Sequence, residues 1–203
     1  MNINDYLSEV KNFFDCFNHD LFNDELPEPI LIIQSAGKKK FLGWCSRKMV
    51  WESKDKSETR YEVTITSEYL SRPIAEIAET VLHESCHLYA NINEIKDVSG
   101  AYYHNKKFKK IAEQHGLIVE DVPIFGWGVT RFSDEGLKVF NNINVDVKAF
   151  DFARIPPKEK ARKERVSKIR KYVCGCGTEI KSKFEDLNVL CQNCNNEFEL
   201  MKE

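Results

Sequence analysis

Residues 71–90 read Ser-Arg-Pro-Ile-Ala-Glu-Ile-Ala-Glu-Thr-Val-Leu-His-Glu-Ser-Cys-His-Leu-Tyr-Ala. Ile74, Ile77, Ala78, Val81, Leu82 and Leu88 recur at helical spacing, so an amphipathic helix is expected through about residue 90. Ser71 is a good N-cap and Pro73 suits a first turn. Within this helix lies His83-Glu84-Ser85-Cys86-His87. Residues four apart share a helix face, so both imidazoles project to one side and can grip one Zn²⁺. Glu84, one step round from His83, is poorly placed to ligate the same ion. It can reach a water at the metal, take its proton as a carbonyl is attacked, and pass that proton to the leaving amine. The pattern is that of metal-assisted amide hydrolysis. Cys86 points about 100° away from His87 and is not a ligand.

A catalytic zinc normally takes three protein ligands and leaves one position open. The third must come from downstream. A metzincin extension would need Gly at 90 and His at 93, where this chain has Ala90 and Asn93. The residues leave His104, Glu94, Asp97, Glu113 and His115 as alternatives. His104 follows a loop and opens a helix, so the chain can fold back and aim it. His115 reads as a helix-end residue favoured by the dipole, and His19 likewise.

Working outward, Tyr6, Leu7, Val10, Phe13, Phe14 and Phe17 mark a helix over 5–18 that ends near Asn18-His19-Asp20. Ile30–Gln34, Phe41–Cys45, Lys48–Glu52 and Tyr61–Thr66 read as strands, with residues 53–57 as the hairpin joining the last two. Short connections of this kind predict a small, mostly antiparallel sheet. Residues 105–115 read as a helix stopped by Gly116, and Leu117–Val119 as a strand. Phe125-Gly126-Trp127-Gly128-Val129-Thr130 has no clear period, and Phe125 and Trp127 read as core aromatics before cleft aromatics. Residues 134–155 carry no decisive pattern. The expected class is α+β.

The 203 residues suit one moderate domain with a small appendage. Net charge is −2, which does not announce a nucleic-acid binder, but the distribution is uneven. Residues 1–150 hold 18 Lys and Arg against 23 Asp and Glu, whereas residues 151–203 hold 12 against 9. Three segments are expected: a metal-dependent domain over 1–150, a basic linker over 151–171 and a cysteine module over 172–203. The N-terminus lacks a basic region followed by an apolar one, and no apolar run approaches a membrane span, so a cytoplasmic protein without membrane partners is expected.

Four of the seven cysteines fall in that last module, as Cys174-Gly-Cys176 and Cys191-Gln-Asn-Cys194 with 14 residues between the pairs. In a cytosolic chain such pairs read as metal ligands before disulfides. Four thiolates make a closed tetrahedral site that is structural rather than catalytic. So short a module has no adequate core, so the metal would supply its folding energy. The first pair is one residue shorter than the usual Cys-x-x-Cys, and Gly175 and Gly177 permit the tighter turn. Cys16, Cys45 and Cys86 stand apart and read as small buried hydrophobes.

Several stretches together resemble the SprT-like family, which includes the Spartan proteases. They are Phe17-Asn18 with Leu21-Phe22, Leu26-Pro27, Leu42-Gly43, Val81 through His87, Tyr103-His104-Asn105-Lys106-Lys107-Phe108, Ala112-Glu113 and Gly116-Leu117, continuing into the cysteine module. The resemblance implies a zinc peptidase domain with ligands His83, His87 and His104 and catalytic Glu84. It implies a second, structural zinc at Cys174, Cys176, Cys191 and Cys194. Many relatives have Gly after the third His; here it is Asn105, which best tolerates a left-handed turn among non-glycine residues.

Residues 158–171 hold eight Lys or Arg against two Glu, a run able to neutralise phosphates without reading sequence. With the resemblance, this implies a zinc endopeptidase acting on proteins attached to DNA, with DNA held by the basic linker and the zinc ribbon. Two other readings are a non-catalytic, zinc-stabilised nucleic-acid-binding protein and a peptidase with no nucleic-acid role.

Overall fold

The computed structural model describes residues 3–37, 40–100, 102–155 and 169–201. The chain divides into two compact units, Met1–Pro157 and Lys158–Glu203. Much of the expected basic linker, residues 156–168, lies outside the described residues. Residues 151–155 belong with the first unit, where the Arg154 N–H donates to the Ser67 carbonyl at 2.9 Å. Arg170 and Lys171 already belong to a strand of the second.

In the first unit, helix α1 (Ile3–Phe22) buries Tyr6, Val10, Phe13, Phe14, Phe17, Leu21 and Phe22. It runs past the expected end at Asn18-His19-Asp20, because those residues lie off the buried stripe rather than breaking the helix. Asn18 instead secures the next turn, donating to the Leu26 carbonyl and accepting from the Leu26 N–H, both at 3.0 Å. Asn23 and Asp24 take left-handed φ values of 54° and 61° and end the helix.

Strands β1 (Ile30–Gln34), β2 (Gly43–Cys45), β3 (Trp51–Glu52), β4 (Thr59–Arg60) and β5 (Glu62–Thr66) follow. The sheet is mixed rather than mostly antiparallel: in the order β1-β5-β2, β1 runs parallel to β5 and β2 antiparallel to it. The turn at 53–57 closes only the two-residue ladder β3–β4. The chain leaves β1, makes the far edge β2 and then returns β5 between them, and a return of that length permits the parallel pair.

Helix α2 (Ile74–Ile92) buries Ile77, Ala78, Val81, Leu82, Cys86 and Leu88. Its N-cap is Pro73, not Ser71, and no side chain caps it. The Pro73 carbonyl accepts from Glu76 and Ile77 at 2.9 and 3.3 Å. The edge strand β2 lies across α2 so closely that a methyl group on Gly43 would come 3.2 Å from the Glu84 side chain.

Strands β6 (Val98–Ser99) and β7 (Tyr103–His104), helix α3 (Lys106–Gln114), and strands β8 (Leu117–Val122) and β9 (Gly126–Phe132) complete the site side of the unit. The strands form a second sheet in the order β6-β7-β9-β8. Gly116 takes φ 85° between α3 and β8. The unperiodic segment at 125–130 is therefore mostly strand, its alternation obscured by two glycines. Helix α4 (Asp134–Asn142), capped by the Ser133 hydroxyl, and a 3-10 turn at Val147–Phe150 fill the region that carried no pattern. Phe13, Phe17, Phe132, Phe140 and Phe150 join α1 to β9 and α4 through ring contacts of 5.4 to 6.4 Å.

The second unit is a three-stranded antiparallel sheet, β11-β10-β12, built from β10 (Arg170–Val173), β11 (Glu179–Ser182) and β12 (Glu199–Leu200). Its buried apolar side chains are Tyr172, Phe198, Cys174 and Cys191. Among the described residues of the chain, no helix is long and apolar enough to cross a membrane.

Gly136 of α4 abuts Gly116, and a methyl group there would stand 2.1 Å from the Gly116 carbonyl oxygen. Gly136→Ala is expected to destabilise the first unit by about 1–3 kcal/mol, since backbone must move to admit it. Leu137→Ala, at a side chain 43% exposed, is expected to change stability by under about 0.5 kcal/mol. Urea unfolding of both variants checks the contrast.

Candidate metal centres

One turn apart on α2, His83 and His87 face the same side, and β7 brings His104 against them. The Nε2 atom of His104 lies 3.2 Å from that of His83 and 3.1 Å from that of His87. The buried ring of Phe108, from α3, forms the floor, with centroid distances of 4.7, 4.6 and 4.6 Å to His83, His87 and His104.

Each imidazole is held through its other nitrogen. His87 Nδ1 lies 2.5 Å from the Asp97 carboxylate, His104 Nδ1 lies 3.1 Å from the Phe125 carbonyl, and His83 Nδ1 lies 3.1 Å from the Thr130 hydroxyl. The carboxylate and the carbonyl only accept, so Nδ1 of His87 and of His104 carries a proton, and in the neutral rings Nε2 keeps a bare lone pair. Two such lone pairs do not hydrogen-bond to each other, yet these sit 3.1 Å apart. Tetrahedral zinc with nitrogen ligands at about 2.0–2.1 Å would set them about 3.3 Å apart. The donor set therefore fits a metal ion at the centre of the three Nε2 atoms.

Burial favours the neutral, ligating form of His83 and His104. It pulls His83 well below the usual imidazole range, reinforced by His87 and His104, and pulls His104 to about 4, reinforced by His87. Burial also pulls His87 down, but the hydrogen bond to Asp97 and the charges of Glu84 and Asp97 outweigh it and the net direction is up. A cation at Nε2 takes the place of that extra proton.

Glu84 is 3% exposed, and its Oε2 has no hydrogen-bond partner. Burial raises its carboxyl to about 7, with His87 opposing and Asp97 adding to the shift. Glu84 thus presents an orphaned, buried carboxylate oxygen next to His83 on α2. The centre opens into a cleft of 550 Å³ walled by β2, α2, the loop before β7, and β9.

Of the alternatives for the third ligand, His104 is the one brought to the centre. Asp97 stands behind His87, on the Nδ1 side. Glu94 sits exposed in a left-handed conformation beyond α2. Glu113 is exposed and pairs with Lys109 at 3.6 Å. His115 hydrogen-bonds the Leu21 carbonyl at 2.8 Å and stacks on Phe22, a packing role. His19 faces Asp24 on the surface. Asn105 is not left-handed: at φ −93° it is extended and caps α3, accepting from the Lys107 and Phe108 N–H groups.

Thr130, Gly128 and the Phe125 carbonyl are parts of the site that pattern-reading missed. Gly inside a strand signals close approach, and here the signal is literal. A methyl group on Gly128 would stand 2.6 Å from His104 Nδ1. Phe125 is 44% exposed at the cleft rather than in the core, while Trp127 is half-buried under the Lys109 ammonium. Cys45 lines the cleft, and only Cys86 of the three isolated cysteines is fully buried.

In the second unit, Cys174, Cys176, Cys191 and Cys194 converge and could hold a metal ion. Sulfur separations are 3.7 Å for Cys176–Cys191 and 3.9 Å for Cys174–Cys194, close to the roughly 3.8 Å of tetrahedral zinc thiolates. The shortened pair is tighter, at 2.9 Å. Hydrogen bonds from Cys174 and Thr178 draw the Cys176 thiol toward thiolate.

Gly128→Ala is expected to push the His104 ring off the common point and weaken cobalt uptake at the three-imidazole group by at least about tenfold. Uptake at the four cysteines, read separately from the thiolate charge-transfer band, is expected to be unchanged.

No curated protein matches the chain. A sequence model of the SprT-like family does match, from residue 10 to residue 125. That span contains His83, Glu84, His87, Asp97 and His104, and it takes in more than half of the 203 residues, so the chain belongs to the SprT-like family.

Proposed function

We propose that this protein is a zinc-dependent endopeptidase that cuts proteins associated with or crosslinked to DNA. The observation that carries the reading is the Glu84 carboxylate, buried with a free oxygen beside three convergent imidazoles. His83, His87 and His104 would hold the catalytic ion through Nε2. Zinc, when bound, supplies Lewis acidity toward a peptide carbonyl and acidifies water. Glu84 accepts a proton from the attacking water at its unpartnered Oε2 and delivers it to the departing amine nitrogen. Burial favours this role by keeping the carboxyl near neutrality, ready to take a proton and to give it back. The cleft at the centre, between β2 and β9, is where the polypeptide would lie.

The four cysteines would hold a second, structural zinc that supplies the folding energy of the small unit. The basic run at 158–171 supports DNA as the partner that brings substrate near, since eight cations over fourteen residues give salt-dependent affinity for phosphates.

Cleavage of a DNA-binding protein by wild type and by Glu84→Gln, each with and without single-stranded DNA, tests the reading. Wild type is expected to cut, and the variant to lose about 100- to 10,000-fold in rate while keeping both metals by elemental analysis. DNA is expected to stimulate wild type, and the stimulation to fade as salt is raised. Equal cleavage by both proteins would falsify the role of Glu84. Absence of cleavage by either, with DNA still bound, would leave a zinc-stabilised binding protein.

A further inference from the structure

We infer that Asp97 is a positioning residue that sets two of the three imidazoles at once, His87 through its side chain and His104 through its main chain. The inference rests on the reading that the three imidazoles hold a metal ion.

Asp97 is 7% exposed and lies in the loop between α2 and β6, ten residues after His87. The loop is set by the end of the helix. Glu94 takes φ 55°, and the Ile95 N–H returns to the Ala90 carbonyl at 2.8 Å, which reverses the chain. That reversal carries Asp97 back alongside His87, where its Oδ2 meets Nδ1 at 2.5 Å. A carboxylate only accepts, so it fixes the proton on Nδ1, fixes the ring plane, and leaves the Nε2 lone pair facing His83 and His104.

The same residue acts on the third donor through the backbone. The Asn105 N–H donates to the Asp97 carbonyl at 2.9 Å, and the next residue, Val98, pairs with His104 across β6–β7. Asn105 also donates its side-chain amide to the Lys96 carbonyl at 2.9 Å. The strand bearing His104 is thus tied on both sides of Asp97, which together with its pairing to β9 sets its position relative to α2. A movement of the Asp97 carboxylate would disturb His87 directly and His104 by way of the strand.

Charge argues in the same direction. A divalent cation among three neutral imidazoles would add two positive charges in a buried place, and Glu84 and Asp97 are the buried acidic side chains nearby. The two carboxylates differ in what they touch. Glu84 has an oxygen free for the proton, whereas Asp97 commits its oxygen to His87. Removing Asp97 would leave a buried Nδ1–H without an acceptor and the site with an excess positive charge.

The test uses the full chain, stripped of metal and titrated with Co²⁺. The thiolate charge-transfer band of the four-cysteine group serves as an internal reference, and the weaker ligand-field bands report the imidazole group. Asp97→Ala is expected to bind Co²⁺ about 100-fold more weakly at the imidazoles, and Asp97→Asn, whose amide oxygen can still accept, about tenfold. The four cysteines lie in the other unit, so their site should titrate as in wild type. Nitrogen-15 spectra of the histidine side chains are expected to show the Nδ1–H tautomer of His87 in wild type and its loss in Asp97→Ala. Wild-type affinity in both variants, with that tautomer intact, overturns the inference while leaving the metal centre standing. If Asp97→Ala does not fold, Asp97→Asn decides alone, and wild-type affinity in it overturns the inference. Failure of wild type to bind Co²⁺ at the imidazoles overturns the inference together with the reading beneath it.

Discussion

Lone pairs repel, and the Nε2 atoms of His87 and His104 are held 3.1 Å apart with their protons on the opposite nitrogens. Much of the first unit's site side is arranged around that unfavourable approach. Phe108 blocks retreat below the rings, Asp97 and Phe125 hold the outer nitrogens, and Gly128 leaves room for His104 where any side chain would push it aside. Such an arrangement costs free energy unless a cation sits among the lone pairs, and that cost must be offset by the rest of the domain. The aromatic core that α1 builds against β9 and α4 supplies this rigidity. It anchors Phe132 at the end of the strand that begins at the cleft, so the strand carrying Thr130 and Gly128 is packed at one end and functional at the other.

The two units derive their order from different forces. The first buries a large contiguous apolar cluster, so burial alone can specify it. The second buries two aromatic rings and two cysteines and cannot do so. Its Tyr172 hydroxyl shares its one proton between the Phe184 and Glu185 carbonyls, at 2.6 and 2.8 Å, and thereby fixes one turn. Elsewhere in the unit the four sulfurs converge. Three nitrogen donors leave a coordination position open and four sulfur donors close it, so the same ion would serve chemistry in one unit and folding in the other.

What could be read from residues alone follows the range of the interaction. The α2 stripe and the one-turn spacing of His83 and His87 are local, and periodicity reports them directly. The meeting of His104 with α2 depends on β7 pairing with β9 at the single pair His104↔Gly126, which no local pattern encodes. The residues alone therefore left five alternatives, and it took the family resemblance to prefer one. Asp97 was legible as an acidic residue near the site but not as one facing Nδ1 rather than the metal, because that depends on a helix-ending reversal at Glu94. Ser71 failed as a cap because Pro73 stands in that position itself. The parallel β1–β5 pair has no local signature, because β5 pairs past its neighbouring segments with β1.

Phe108 has a consequence for traffic. Its ring closes the underside of all three imidazoles, and α2 closes one flank, so the centre communicates with solvent through the cleft. On the proposed function, an ion entering or leaving through the cleft would share its passage with a polypeptide. A chain lying in the cleft would then act as a stopper: while it is bound, exchange of the ion with chelators outside would slow, and the lifetime of the loaded centre would be set in part by how often that passage stands empty.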